Sequence, residues 1–222
     1  IMFYSSTEEK LVTLKEYVSR MKDAQDKIYY ACGESIAKIN TLPQVESIKD
    51  KGYEILYLTE YVDEFCLQVL MEYEGKKFAN ICSEDVNVDS EEEKKELEEK
   101  NKKSSDMFKI MLNTLGNDIK EIRYTNKLKN HPVCLSTKGN VSVEMEKVIN
   151  AMPTDEKISS EKILEINENH PIVTKLEELY KNDKASLEKY TKILYAEARL
   201  IEGLPVENQS EISSLICEAL SK

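Results

Sequence analysis

Several residue types are scarce in this 222-residue sequence, and each shortage removes a class of function. The six glycines are too few and too scattered for a phosphate cradle, and neither GxxxxGK[ST] nor GxGxxG occurs. Nucleotide chemistry is therefore not encoded in these residues. The two histidines, His131 and His170, each precede a proline and have no histidine or cysteine at ligand spacing, so they are expected to be turn residues, with no metal site. The five cysteines (Cys32, Cys66, Cys82, Cys134 and Cys217) are odd in number and contain no CxxC pair. They fit reduced, buried thiols better than a disulfide framework. No apolar run approaches the ~20 residues of a membrane span, and IMFYSSTEEK lacks the basic and long apolar regions of a signal peptide. A cytoplasmic location is expected. Positive charge is also in deficit, with 31 basic against 42 acidic residues and a net charge of -11. Such a chain repels phosphate backbones and anionic lipid, and no basic stripe offsets this, so neither nucleic acid nor membrane is an expected partner.

What is present suits one large or two small domains, since 41% hydrophobic residues suffice for ordinary cores. The opening run Ile1-Met2-Phe3-Tyr4 is strand-like and leads into a polar turn, which is expected of a piece of a longer chain. IYYAC (28–32), SIAKINTLPQVESIKDKG (35–52), YEILYLTE (53–60), VDEFCLQVLMEYEG (62–75) and KKFANIC (76–82) then alternate strand, helix, strand, helix, strand. The expected solution is a small parallel βαβαβ sheet with flanking helices. Ser35 and Asp63 read as N-caps, and Gly52 and Gly75 as helix stops.

Residues 84–106 are dense in charge and pass into a helix with Met107, Ile110, Met111 and Leu115 on one face and Gly116 beyond it. Three segments follow: 1–88 as a small α/β part, 89–116 as a linker helix, and 117–222 as a mixed α+β domain. In the last, IKEIRYTNKL (119–128) and PVCLSTK (132–138) are expected to pair through the NKLKNH turn, with a helix at 141–152, a strand KILEIN (162–167) and mostly helix thereafter.

Cys32-Gly33-Glu34-Ser35, a cysteine at a strand end before a turn and a cap, is one place where α/β enzymes keep a nucleophile, and a thiol-dependent enzyme using Cys32 is the alternative it raises. A small buried hydrophobe is the preferred reading of Cys32. Two apolar patterns carry more weight. Val141, Met145, Val148, Ile149 and Met152 form one stripe on a short helix closed by Pro153. It either packs on its own domain or offers an adaptable surface to other polypeptides. Near the end, Leu187, Tyr190, Leu194, Ala198 and Ile201 step along one helix, and Ile212, Leu215, Ile216 and Ala219 along the next, with Gly203-Leu204-Pro205 as the bend between them. Two copies of such a pair make a four-helix bundle. Burying about eight of these side chains per chain at ~1.5–3 kcal/mol each exceeds the ~4–15 kcal/mol that association costs, so a homodimer is expected. A purely structural dimerisation adaptor is the second alternative.

LKEYVSRMKDAQDKIYYACGES (14–35), GYEILYLTEYVDEFCLQVLMEYEGKKFANI (52–81) and ILEINENHPIV (163–173) are similar, in order and over nearly the whole chain, to stretches of the ninety-kilodalton heat-shock protein chaperones. The chain resembles the bacterial HtpG type, ending at EALSK without an acidic Glu-Glu-Val-Asp tail or a Lys-Asp-Glu-Leu signal. The resemblance implies a C-terminal fragment, comprising the end of the middle domain and the dimerisation domain, of an ATP-dependent chaperone that assists protein folding. The ATP and magnesium site and the assisting arginine of that family lie upstream, so the fragment itself is expected to need no cofactor and not to be an enzyme. The resemblance also assigns roles. The last two helices dimerise, and non-native client polypeptides meet Glu64, Phe65 and the stripe Val141, Met145, Val148, Ile149 and Met152. Phe65 stands where some bacterial relatives have tryptophan.

Overall fold

Apolar runs such as 28–31 and 55–58 need cover on both faces, and the fold meets this by laying them side by side in the middle of a sheet. A computed structural model describes residues 1–153 and 157–221. Along the chain come β1 (Met2–Ser5), β2 (Leu11–Thr13), α1 (Leu14–Arg20), β3 (Lys27–Cys32), α2 (Ile36–Asn40), α3 (Pro43–Asp50), β4 (Leu56–Leu58), α4 (Asp63–Leu70), β5 (Glu72–Tyr73) and β6 (Lys76–Asn80). Then follow α5 (Glu91–Lys103), α6 (Ser105–Leu115), β7 (Glu121–Thr125), β8 (Val133–Lys138), α7 (Val143–Ala151), β9 (Glu161–Asn167), α8 (Ile172–Asn182), α9 (Lys184–Ile201) and α10 (Gln209–Leu220). Two compact units result, one of residues 1–88 and 137–160, the other of 89–136 and 161–222. The described residues of 137–160, read from sequence with the C-terminal domain, group here with 1–88.

In the first unit a six-stranded sheet has the order β2-β1-β4-β3-β6-β5. Its centre, β4-β3-β6, is parallel, while β1, β2 and β5 add antiparallel edges, so the sheet is mixed where a purely parallel one was expected. Alternation of side chains along the strands sorts the core into two layers. Tyr29, Ala31, Ile55, Tyr57, Ala79 and Ile81 meet Ile39, Leu42, Val45 and Ile48 of α2 and α3. On the opposite face, Ile28, Tyr30, Leu56 and Leu58 meet Leu14 and Tyr17 of α1 and Leu67 of α4. The Tyr17 hydroxyl fastens this face: it donates to the Glu54 carbonyl at 2.8 Å and accepts from Gln25 Nε2 at 2.9 Å and the Tyr29 N–H at 3.0 Å. Burial pushes the Tyr17 phenol well above its usual pKa, which keeps it a donor.

Local chemistry accounts for three departures from the sequence reading. The helix expected over 35–52 divides, because Pro43 cannot donate and holds Leu42 in an extended conformation; Ser35 caps only the first piece, accepting from the Lys38 N–H. Asp63 is the first residue of α4 and not its cap, which is Val62; its carboxylate accepts from the Glu60 N–H. Gly75 does not end a helix. Glu74 and Gly75 both have positive φ, 49° and 74°, as a tight two-residue hairpin turn requires, and they join β5 to β6.

In the second unit the sheet order is β7-β9-β8, so the expected β7–β8 hairpin is not formed. Strand β9 lies between them, pairing in parallel with β7 from Glu121↔Ile163 to Thr125↔Asn167. Helix α5 buries no residue, whereas Met107, Phe108 and Met111 of α6 are buried. Glu165, at the middle of β9, is almost wholly buried between Arg123, whose guanidinium donates at 2.7 and 3.0 Å, and Lys127 at 3.4 Å, and it also accepts from the Ser136 hydroxyl. Burial pushes its carboxyl up, but the charges of Lys127 and Arg123 and the hydrogen bonds from Ser136 and Arg123 outweigh this and hold it below the usual carboxylate range.

Candidate functional site

Helix α4 is amphipathic in an unusual sense: its inward face carries a carboxylate and its outward face is apolar. Glu64 and Leu67 point inward and are buried. Val62, Cys66 and Val69, spaced at i, i+4 and i+7, form an open stripe, with Val62 63% and Val69 84% exposed. Tyr61 before the helix and Met71 after it are exposed as well, at 75% and 70%.

Glu64 is 5% exposed, with three donors at 3.2 Å or less and a further hydrogen bond from the Cys32 thiol. One carboxylate oxygen accepts from Asn80 Nδ2 at 2.7 Å and the Tyr30 hydroxyl at 3.2 Å, and the other from the Ser142 hydroxyl at 2.5 Å. Among the described residues no lysine or arginine pairs with it. Burial, and then the negative charge of Glu64, raise the Tyr30 phenol and the Cys32 thiol far above their usual pKa values. A raised thiol is the opposite of what a nucleophilic cysteine requires. Cys32, Gly33, Leu58, Glu64, Phe65, Met145 and Val148 border a cavity of about 30 Å³, room for water and not for a substrate.

The stripe on α7 is turned partly inward. Met145 is buried, Val141, Val148 and Ile149 are half-buried, and Met152 is 47% exposed. Ser142 caps the helix by accepting from the Met145 N–H at 3.1 Å, and Gln68 of α4 donates to the Asn140 carbonyl at 2.6 Å and to Met145 Sδ at 3.0 Å. The structure thus brings Glu64, Phe65, Met145 and Val148 together around one cavity. It places Glu64 as an internal hydrogen-bond centre, with Phe65 half-buried beside the open face of α4. Tyr30, Gln68, Asn80 and Ser142 were not foreseen. The serine before an apolar stripe is a legible cap signal, but nothing in the sequence pairs it with a carboxylate 78 positions away.

Of the residues expected at a dimer face, Leu187, Leu194 and Ala198 of α9 are already buried within the single chain, while Tyr190 and Ile201 are half-buried. Helix α10 buries no residue: Ile212, Leu215 and Ala219 are half-buried, and Ile216 and Leu220 are 40% and 82% exposed. Lys189–Glu218 and Lys192–Glu211 ion pairs, at 2.5 and 2.7 Å, hold α10 beside α9. No helix among the described residues is long and apolar enough to cross a membrane.

The chain is a mixed α and β structure with an apolar face left open on α4 and a terminal helix that buries no residue. Its family is shown by sequence: the Hsp90 protein family model matches residues 1–222, and the chain belongs to that family. It is 46% identical over 220 residues to the chaperone protein HtpG of Bacillus subtilis, a match covering 99% of this chain and 35% of that protein. It is 51% identical over 216 residues to the chaperone protein HtpG of Clostridium acetobutylicum, covering 96% and 34%. The HtpG of Clostridium perfringens is 46% identical over 220 residues. The chain therefore spans about a third of the length of these curated relatives.

Proposed function

We propose that this chain is the homodimerising, client-binding portion of an HtpG-type, ATP-dependent molecular chaperone, corresponding to the end of the middle domain and the C-terminal domain, and that it works in the cytoplasm. The observation that carries the reading is the apolar face left open on α4, at Val62, Cys66 and Val69, beside Phe65. Relatives named chaperones and membership of the Hsp90 family support it. Binding of non-native polypeptide is hydrophobic and of low specificity, as suits unbranched and aliphatic side chains that repack against many shapes. Phe65, Val148, Ile149 and Met152 extend the contact surface. Nucleotide chemistry belongs to other parts of the full-length protein, and this portion is not itself an enzyme. Dimerisation uses α10 with Tyr190 and Ile201, completing a four-helix bundle across two copies.

The test is suppression of aggregation of a chemically unfolded model protein. Ile149→Asp and Val69→Asp are each expected to weaken suppression by roughly fivefold or more, the effect of ~1 kcal/mol of lost contact, with unchanged circular dichroism. Full suppression by both variants would contradict the reading.

A further inference from the structure

A buried carboxylate without a cation is costly unless neutral donors fill its lone pairs, and its environment then depends on every donor staying in place. Glu64 has that arrangement. Two of its donors, Tyr30 and Asn80, are fixed on adjacent strands of the sheet. The third, Ser142, sits at the start of α7 on a segment remote in sequence. Its hydroxyl does two things at once, donating to Glu64 and accepting from the Met145 N–H, so the cap and the attachment are one group. The carboxylate also lies where the positive end of the α7 dipole favours negative charge. Packing is open on one side of the joint. Tyr30, Glu64, Gln68, Asn80, Asn140 and Ser142 border a cleft of about 560 Å³, so on that side polar contacts hold the start of α7, while Val143 and Met145 are buried on the other.

We propose that Glu64 and Ser142 form a latch that keeps α7 closed on α4, with Gln68 as its second catch, and that releasing it frees the Met145 and Val148 side of the stripe. Resting on the client-binding reading, the latch makes part of the client surface conditional: Met145 and the covered side of the half-buried Val148 reach a client only when it opens. A negative charge at position 142 is the sharpest way to open it. Aspartate is as good an N-cap as serine, so Ser142→Asp preserves the helix start, yet it sets a second carboxylate against Glu64 with no cation between them. Replacing Glu64 by glutamine gives the new aspartate an amide donor, and the double variant should close again.

The experiment is hydrogen exchange of the 143–151 amides in the 222-residue chain, followed by mass spectrometry. Ser142→Asp is expected to speed exchange in this segment by about tenfold or more, as for a local opening, while β3 and β4 stay protected. In Ser142→Asp/Glu64→Gln exchange should return to within about threefold of the unmodified chain. Unchanged exchange in Ser142→Asp overturns the latch, and so does a double variant no better protected than the single one. Aggregation suppression measured on the same proteins separates the two ideas. Faster exchange with unaltered suppression leaves the latch standing and removes the client role of Met145 and Val148.

Discussion

Single residues carry their meaning here through partners that lie far away in sequence. Cys32 is the instructive case: its place at a strand end before Gly33-Glu34-Ser35 raised an active-site question, and the surroundings answer it by pushing the thiol up. Gly33 is needed for space, since a Cβ there would sit 2.9 Å from Ile39 Cγ1. Gln25 and Tyr29, conspicuous within the family-like stretch, turn out to be joined through the Tyr17 hydroxyl. Glu165 offers a test with a defined sign. Its folded pKa is depressed, so the stabilisation is complete above the ordinary carboxylate pKa of about 4.3 and is lost as pH falls through the folded value. Glu165→Gln leaves Arg123 and Lys127 facing a neutral group, and unfolding in urea at pH 7 should show a loss of about 3–5 kcal/mol. As pH falls below the ordinary carboxylate pKa of about 4.3 the difference from the unmodified chain should narrow, because the unfolded carboxyl takes up a proton before the folded one does. A difference independent of pH would show that its charge contributes nothing.

Elements were legible where periodicity was strong and illegible where pairing is nonlocal. The strands at 27–32 and 76–80, α9 and α10 follow directly from apolar spacing and stop signals. The division at Pro43 and the hairpin at Gly75 were local signals overridden by the longer helical pattern around them. The pairing of β7 was a different matter. Nearness in sequence favoured β8, but β9 is buried on both faces and takes the centre, and its two buried charged residues, Lys162 and Glu165, disguise this. The Glu74-Gly75 turn supplies the element-scale test. With φ at 74° and no atom within 4 Å of the place a methyl group would take, Gly75→Ala meets backbone strain alone. It should lower stability by about 1–2 kcal/mol, read as a reduced urea midpoint with an unchanged slope, and a neutral result would mean the turn relaxes.

At the scale of the whole chain, the family could be read from three ordered blocks, whereas which apolar faces remain open could not. A stripe on α7 and a stripe on α10 look alike in sequence, yet Met145 is buried in the first unit and α10 buries nothing within its own chain. The same limit applies to α9, where Leu187, Leu194 and Ala198 serve the fold of the second unit. The surface left for a second copy is therefore narrower than the stripes imply, centred on Ile212, Leu215 and Ile216 with Tyr190 and Ile201. In the proposed dimer, self-association would shelter that face of a terminal helix held to its neighbour by two ion pairs. The mass of the chain in solution tests this most directly. At about 50 μM, where an interface of this kind should be saturated, light scattering is expected to give twice 25.6 kDa, and Leu215→Asp should give a folded chain of 25.6 kDa. A mass of 25.6 kDa for the unmodified chain would contradict dimerisation through α10.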